Sequence, residues 1–299
     1  MSDGGITGGG DTPTGSPKRP MTKTPMFTAR NSARYERQEL IRQIDEAEKT
    51  HLVCYVAGPD AEIERNDIMG FVDLVHNIPD GEPIDLFLHT IGGDVDACEK
   101  LIHLIHSKLT DGQFRVIIPD VAKSAGTIMA LGANQILMSD TSELGMIDPQ
   151  FPMKDNQGNE FWHSVIAYLE AYEEHSTALR NNPKDPVALL ALDHFDAKVV
   201  RKFQGMRDRV RTFAEDLLKR QGLPSSTISD ELLSSARWKT HGQPIRHGDA
   251  AQLGLPVIYI PGNDPRWTLY WKLYCLQRLA IPQAGKIFES AYVSQVIEE

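Results

Sequence analysis

The 299-residue chain reads as an α/β protein on three observations. Short apolar runs of strand length alternate with segments whose apolar residues recur at helical spacing, an order that implies parallel strands joined by right-handed crossovers. Two strand-to-helix turns carry small residues, Gly92-Gly93 and Ser124-Ala125-Gly126. With 41% apolar and 24% charged residues, the composition is that of a globular chain long enough for one large domain with extensions.

Residues 1–33 are rich in Gly, Pro, Thr and Ser and contain Lys18, Arg19 and Lys23 but no apolar run, so they read as a disordered tail and not a signal peptide. The domain is expected over residues 34–262. Ala33 to Thr50 places Tyr35, Leu40, Ile41 and Ile44 at helical spacing and leads into a strand, His51 to Ala57. Asn66 to Asn77 gives a helix with Ile68, Phe71, Val72, Leu74 and Val75 on its buried side. Strands at 84–88, 114–118 and 135–139 then alternate with helices at 94–109 and 124–133. A polar turn is expected at 151–160, around Lys154 to Gly158. A helical arm follows over about 161–221, as Phe161 to Leu179 and Val187 to Arg220, broken at Asn181-Asn182-Pro183-Lys184-Asp185-Pro186. From Ser229 come a helix, a turn at His241-Gly242, a short helix Gly248 to Gln252 and a strand Pro256 to Ile260. The last segment, 263–299, is amphipathic from Trp267 and is expected to be a helical C-terminal extension packed on the body or on a neighbouring subunit.

A net charge of -10 argues against a nucleic-acid or anionic-membrane binder. No uninterrupted apolar run reaches the ~18 residues that a membrane span needs. The best stretch, Val116 to Met138, is broken by Asp120, Lys123 and Asn134. Cys54, Cys98 and Cys275 cannot all pair and show no Cys-x-x-Cys spacing; they read as buried free thiols in a reducing cytosol, hence a cytoplasmic protein. His89 lies beside the glycine turn. His103 and His106 stand at i, i+3 with no carboxylate partner and read as an exposed or interface pair, so no metal or cofactor is expected.

Chemistry concentrates at the two small-residue turns. Adjacent glycines at the end of a strand expose backbone N–H groups with no side chain in the way, which suits Gly92 and Gly93 to face a developing negative charge. Ser124 opens a helix, where the local positive dipole favours alkoxide character and the Ala125 N–H is also presented to an oxyanion. Asp94 suits a helix start better than an acid catalyst.

Three segments carry a family resemblance: Ala122-Lys123-Ser124-Ala125-Gly126-Thr127, Ser142 to Gln150 with its Ile147-Asp148-Pro149-Gln150 ending, and Thr240-His241-Gly242-Gln243-Pro244-Ile245. They resemble the serine dehydrogenase proteinases, relatives of ClpP and signal peptide peptidase A in the ClpP/crotonase superfamily, over roughly residues 50–262. Met146 stands where the family pattern has proline, which alters local stiffness and leaves the chemistry intact. The resemblance implies a spiral of βαβ units, a serine peptidase acting on short peptides or unfolded segments, and a homo-oligomer with the arm building subunit contacts. It also implies a triad in the order Ser124, Asp148, His241, with His247 the rival base. A Ser-Lys dyad, as in signal peptide peptidase A, is the second scheme. Lys123 adjoins the serine, but neighbouring side chains at a helix start diverge, and no motif supports Lys198 or Lys239. Two other readings stand beside the peptidase: a crotonase-type enzyme using the oxyanion hole on a thioester enolate, and a catalytically silent scaffold.

Overall fold

A computed structural model describes residues 22–109, 112–154 and 157–298; most of the expected N-terminal tail and part of the polar turn lie outside them. In chain order the elements are α1 (Pro25–Arg30), α2 (Ser32–Glu48), β1 (His51–Ala57), α3 (Ile68–His76), β2 (Ile84–His89), α4 (Val95–Lys108), β3 (Phe114–Ile118), β4 (Val121–Ala122), α5 (Ala125–Leu131), β5 (Gln135–Met138) and β6 (Glu143–Leu144). They continue as β7 (Gln150–Lys154), β8 (Glu160–Ser164), α6 (Val165–Asn181), α7 (Pro186–Asp193), α8 (Ala197–Arg220), α9 (Ser225–Leu232), α10 (His247–Gln252), β9 (Val257–Tyr259), α11 (Pro265–Ala280), β10 (Gly285–Glu289) and β11 (Ser294–Glu298).

Seven strands form the central sheet in the order β11-β10-β1-β2-β3-β5-β9. From β1 to β9 every pairing is parallel, as the strand-helix-strand order requires. Both faces are covered. On β1, Leu52, Cys54 and Val56 pack against α2 and α11, while Val53 and Tyr55 face α3 and α4, so the strand is buried and apolar-faced on both sides from Leu52 to Ala57. All seven residues of α5 are buried, and its small side chains make this possible: a Cβ on Gly126 would lie 2.6 Å from Thr90 Cγ2.

Three expectations are corrected. The chain is helical from Pro25, inside the segment read as tail. The arm opens as a strand: β7 and β8 pair as an antiparallel hairpin, from Gln150↔Ser164 to Lys154↔Glu160, before α6 begins. The segment 263–299 is helical only to Ala280. Pro282 follows the helix end, and β10 and β11 add two antiparallel strands to the sheet edge beside β1. Neighbouring residues settle the period there: Ile287 is buried on the α2 and α11 face and Phe288 on the other, the alternation of a strand.

The arm has its own small core of Val165, Leu169, Val200 and Phe203, with Phe151 stacked in from the hairpin. Among the described residues no helix is long and apolar enough to cross a membrane.

Candidate active site

A narrow ladder beyond the carboxyl ends of β2 and β3 collects four distant segments. Thr90 bridges Ala122, β4 runs parallel to β6, and Leu144 bridges Ile245 antiparallel, with both Leu144–Ile245 hydrogen bonds at 2.9 Å. Gly92 and Gly93 follow the first rung, Ser124 the second and Asp148 the third, while His241 precedes the fourth. The sequence-derived site residues are thereby brought to one place, and Gly93, Ser124 and His241 line one cavity of about 960 Å³.

Ser124 sits immediately before α5 with φ 50° and ψ -118°, a left-handed conformation that costs a side-chain-bearing residue of order 1–3 kcal/mol. Its hydroxyl makes no capping hydrogen bond and faces the cavity unpaired among the described residues. Gly92 makes room for it: a Cβ there would lie 2.7 Å from Ser124 Cβ and 3.3 Å from its Oγ.

The backbone donors divide unequally. The Gly92 N–H donates to Thr90 Oγ1 at 3.1 Å, so Gly92, expected to be an oxyanion donor, serves as the gap beside the serine instead. Gly92 C=O accepts from Ile63 N–H at 2.7 Å, and the two ends of a planar trans peptide point opposite ways, so the Gly93 N–H is aimed away from Ile63. Ser124 C=O accepts from Ile128 N–H at 3.1 Å, which leaves the Ala125 N–H directed out of the helix start. Among the described residues neither the Gly93 nor the Ala125 N–H has an acceptor.

On the same cavity as Ser124, His241 has its Nδ1 2.6 Å from Asp148 Oδ1. The carboxylate is 1% exposed and the imidazole 30%. A carboxylate only accepts, so Nδ1 carries the proton and Nε2 is left as the basic nitrogen. Gln150 Nε2 donates to the second oxygen, Asp148 Oδ2, at 2.7 Å and lies 3.2 Å from His241 Nδ1. This positioning group was legible only as the last letter of the Ile-Asp-Pro-Gln segment, with nothing in the sequence to assign it a role.

The rival bases are placed elsewhere. His247 stacks on Tyr259 at 4.3 Å between ring centres. Lys239 Nζ donates to Ala236 C=O, and Lys198 lies at the exposed start of α8. Lys123 lines the cavity, but its ammonium is held by Glu143 at 2.9 Å and by the Leu144, Gly242 and Gln243 carbonyls at 3.1, 3.4 and 3.5 Å. It is a brace between the serine turn and the histidine loop. Asp94 caps α4, accepting from Asp96 N–H at 2.8 Å and Ala97 N–H at 3.2 Å.

Of the remaining histidines, His103 is exposed, whereas His106 is half-buried between Gly132 C=O and Arg220, so of the expected exposed or interface pair only His103 is exposed. His89 is buried and accepts from Val121 N–H; burial holds its imidazole down at about 4. Among the described residues no cluster of His, Cys, Asp or Glu is arranged to hold a metal. Cys54 and Cys98 are buried free thiols, and Cys275, expected to be buried, is exposed.

A serine on a strained turn and a His-Asp pair at one cavity, with two N–H groups nearby that have no acceptor among the described residues, sit at one end of a doubly covered parallel sheet. The chain belongs to the ClpP-like SDH-type serine proteinase family, whose model matches residues 25–266. It is 30% identical over 180 residues to the uncharacterized protein MJ0137 of Methanocaldococcus jannaschii, a match covering 60% of this chain and 54% of that one. It is 25% identical over 233 residues to MJ1495 of the same organism, covering 74% and 71%. The chain thus spans about half the length of the first relative. Two solved structures of the 1510-N membrane-bound stomatin-specific protease also match, each with a TM-score of 0.44 and 16% identity. The serine-to-alanine variant covers 71% of this chain and 80% of that chain; the lysine-to-alanine variant, in complex with a substrate peptide, covers 73% and 78%.

Proposed function

We propose that this chain is a serine peptidase that hydrolyses peptide bonds through an acyl-enzyme on Ser124. The observation that carries the reading is that the His241–Asp148 pair shares one cavity with a strained serine flanked by two N–H groups that have no acceptor among the described residues. His241 Nε2 takes the hydroxyl proton as Ser124 Oγ attacks the scissile carbonyl, and Asp148 holds the tautomer and stabilises the imidazolium. Gly93 and Ala125 N–H groups bind the oxyanion. The imidazolium then gives its proton to the leaving amine as the C–N bond breaks. Water, deprotonated by the same nitrogen, cleaves the ester and returns the proton to Ser124. Among the described residues the Ser124 hydroxyl has no hydrogen-bond partner, so its hydrogen bond to His241 forms as substrate enters.

The cavity's apolar wall, Ile91, Ile147, Trp162, Met206 and Val210, and its open form suit extended, unfolded segments or short peptides. A homo-oligomer built through the arm belongs to this reading, since Val187 and Leu190 on α7 are 70% and 67% exposed. So does a reducing compartment, given two buried free thiols. The His-Asp pair favours acyl transfer over the thioester-enolate reading, which needs only the two N–H groups. The test is degradation of an unfolded protein such as reduced casein by the wild type and by Ser124→Ala. Cleavage confined to the wild type is expected; equal cleavage by both would overturn the assignment.

A further inference from the structure

The oxyanion donor at Gly93 is held by a chain of contacts that ends in the C-terminal hairpin, beyond the matched segment 25–266. Ile63 grips the glycine turn from both sides: its N–H donates to Gly92 C=O at 2.7 Å, and its C=O accepts from Asp94 N–H at 2.9 Å. The approach is so close that a Cβ on Gly93 would collide with the Ile63 backbone.

Ile63 is itself fixed by the next turn. Glu64 N–H donates to Asp67 Oδ2 at 2.9 Å, and Tyr55 OH donates to the same oxygen at 2.8 Å. Asp67 is buried. Its other oxygen meets Lys286 Nζ at 3.1 Å, and the same ammonium reaches Glu64 Oε1 at 3.2 Å. Lys286 stands on β10, is 2% exposed and pairs with Ala57 in the sheet. The loop between β1 and Ile63 is tied to the same hairpin by Gly58 N–H to Gly285 C=O at 2.7 Å and Asp60 N–H to Gln283 C=O at 3.1 Å. A cation on an interior strand is costly unless paired, and this one is spent on two carboxylates under one turn.

From this geometry we infer that Lys286 is a positioning residue for the oxyanion hole, acting through Asp67, Glu64 and Ile63 to aim the Gly93 N–H. It rests on the acyl-enzyme reading given above. It assigns the hairpin a part in the chemistry beyond closing the sheet edge.

The test compares wild type, Lys286→Gln, Lys286→Arg and Tyr55→Phe as full chains. The readouts are the rate of Ser124 labelling by a fluorophosphonate, kcat and KM on a short peptide, and affinity for a peptide boronate, whose tetrahedral adduct loads the oxyanion site. Lys286→Gln is expected to lower kcat and labelling by about 10- to 100-fold and weaken the boronate similarly, with KM little changed, because a misaimed donor fails the transition state more than the substrate. Lys286→Arg should restore most of the loss. If Lys286→Gln does not fold, Tyr55→Phe decides. Removing one hydroxyl from Asp67 should slow labelling by about 3- to 10-fold with a near-wild-type Tm. A folded Lys286→Gln, or Tyr55→Phe in its place, with lower Tm but wild-type kcat and boronate affinity would overturn the inference alone. An unlabelled wild type would overturn the acyl-enzyme reading and this inference with it.

Discussion

His241 and Asp148 lie 93 residues apart in sequence and 2.6 Å apart in space, joined by the Leu144–Ile245 bridge. Asp148 also accepts from Gln150, so the buried carboxylate has both oxygens engaged and only one orientation to offer the imidazole.

Asp148→Asn should preserve the packing but present an amide where Nδ1–H needs an acceptor, favouring the wrong tautomer. Peptide hydrolysis should fall by about 10³- to 10⁴-fold with KM nearly unchanged. Steady-state kinetics check this, and a loss below tenfold would contradict the role given to Asp148.

Lys123→Met separates the two candidate bases. The Lys123 ammonium is held by Glu143 and three carbonyls, two of them in the His241 loop, so the proposed triad assigns it no proton transfer. The expected loss of fluorophosphonate labelling is about tenfold or less. A serine-lysine dyad would instead lose roughly 10³-fold or more.

Much of this site was legible in the sequence, for reasons that can be named. Gly92-Gly93 and Ser124 each follow a largely apolar strand and precede a helix-period segment, so local pattern alone placed them at the same end of a parallel sheet. The pairing of Asp148 with His241 came from segment resemblance, because a ladder of single-residue bridges leaves no periodic signal. The hairpin from Gly285 to Glu298 reads as helix in the sequence and is two strands in the structure. Its large aliphatic and phenylalanine residues, Ile287, Phe288, Val293, Val296 and Ile297, are too few for their period to be told, and contact with β1 decides it. The Gly92 donor was misassigned because Thr90 Oγ1, two residues back, takes its N–H, a contact set by side-chain rotation.

Gly93→Ala should abolish the site while leaving a folded protein. Gly93 has φ 139°, and a Cβ would strike Ile63, so the turn must move. A kcat loss of about 10²- to 10³-fold, with a stability cost of about 1–3 kcal/mol, is expected from kinetics and denaturant melts. Gly205→Ala is the control. Gly205 lies within α8 with open space where a Cβ would go, so alanine there should stabilise by about 0.5–1 kcal/mol and leave kcat alone.

Asp45 sets one component of the pH dependence of stability. Burial raises its carboxyl to about 7, while it accepts from Leu52 N–H at 2.7 Å. The native chain keeps this proton up to about 7, whereas the unfolded chain loses it near the ordinary value of about 4. The group's stabilising contribution is therefore complete below about 4 and is lost as pH rises through 7. Asn at 45 retains an acceptor and does not titrate. The unfolding free-energy difference between Asp45→Asn and wild type, from denaturant melts, should be near zero at pH 4 and favour the variant at pH 8 by about 1–2 kcal/mol after allowance for partial exposure. A difference constant across that range would contradict the assignment.

The central claim is that Ser124 is a nucleophile activated by His241. Its most direct measurement is mass-spectrometric mapping of a fluorophosphonate adduct on purified wild type, Ser124→Ala and His241→Ala. The expected result is one adduct on Ser124, absent from Ser124→Ala and slowed by about 10³-fold or more in His241→Ala. A folded wild type that takes no adduct, or one labelled equally with and without His241, would contradict it.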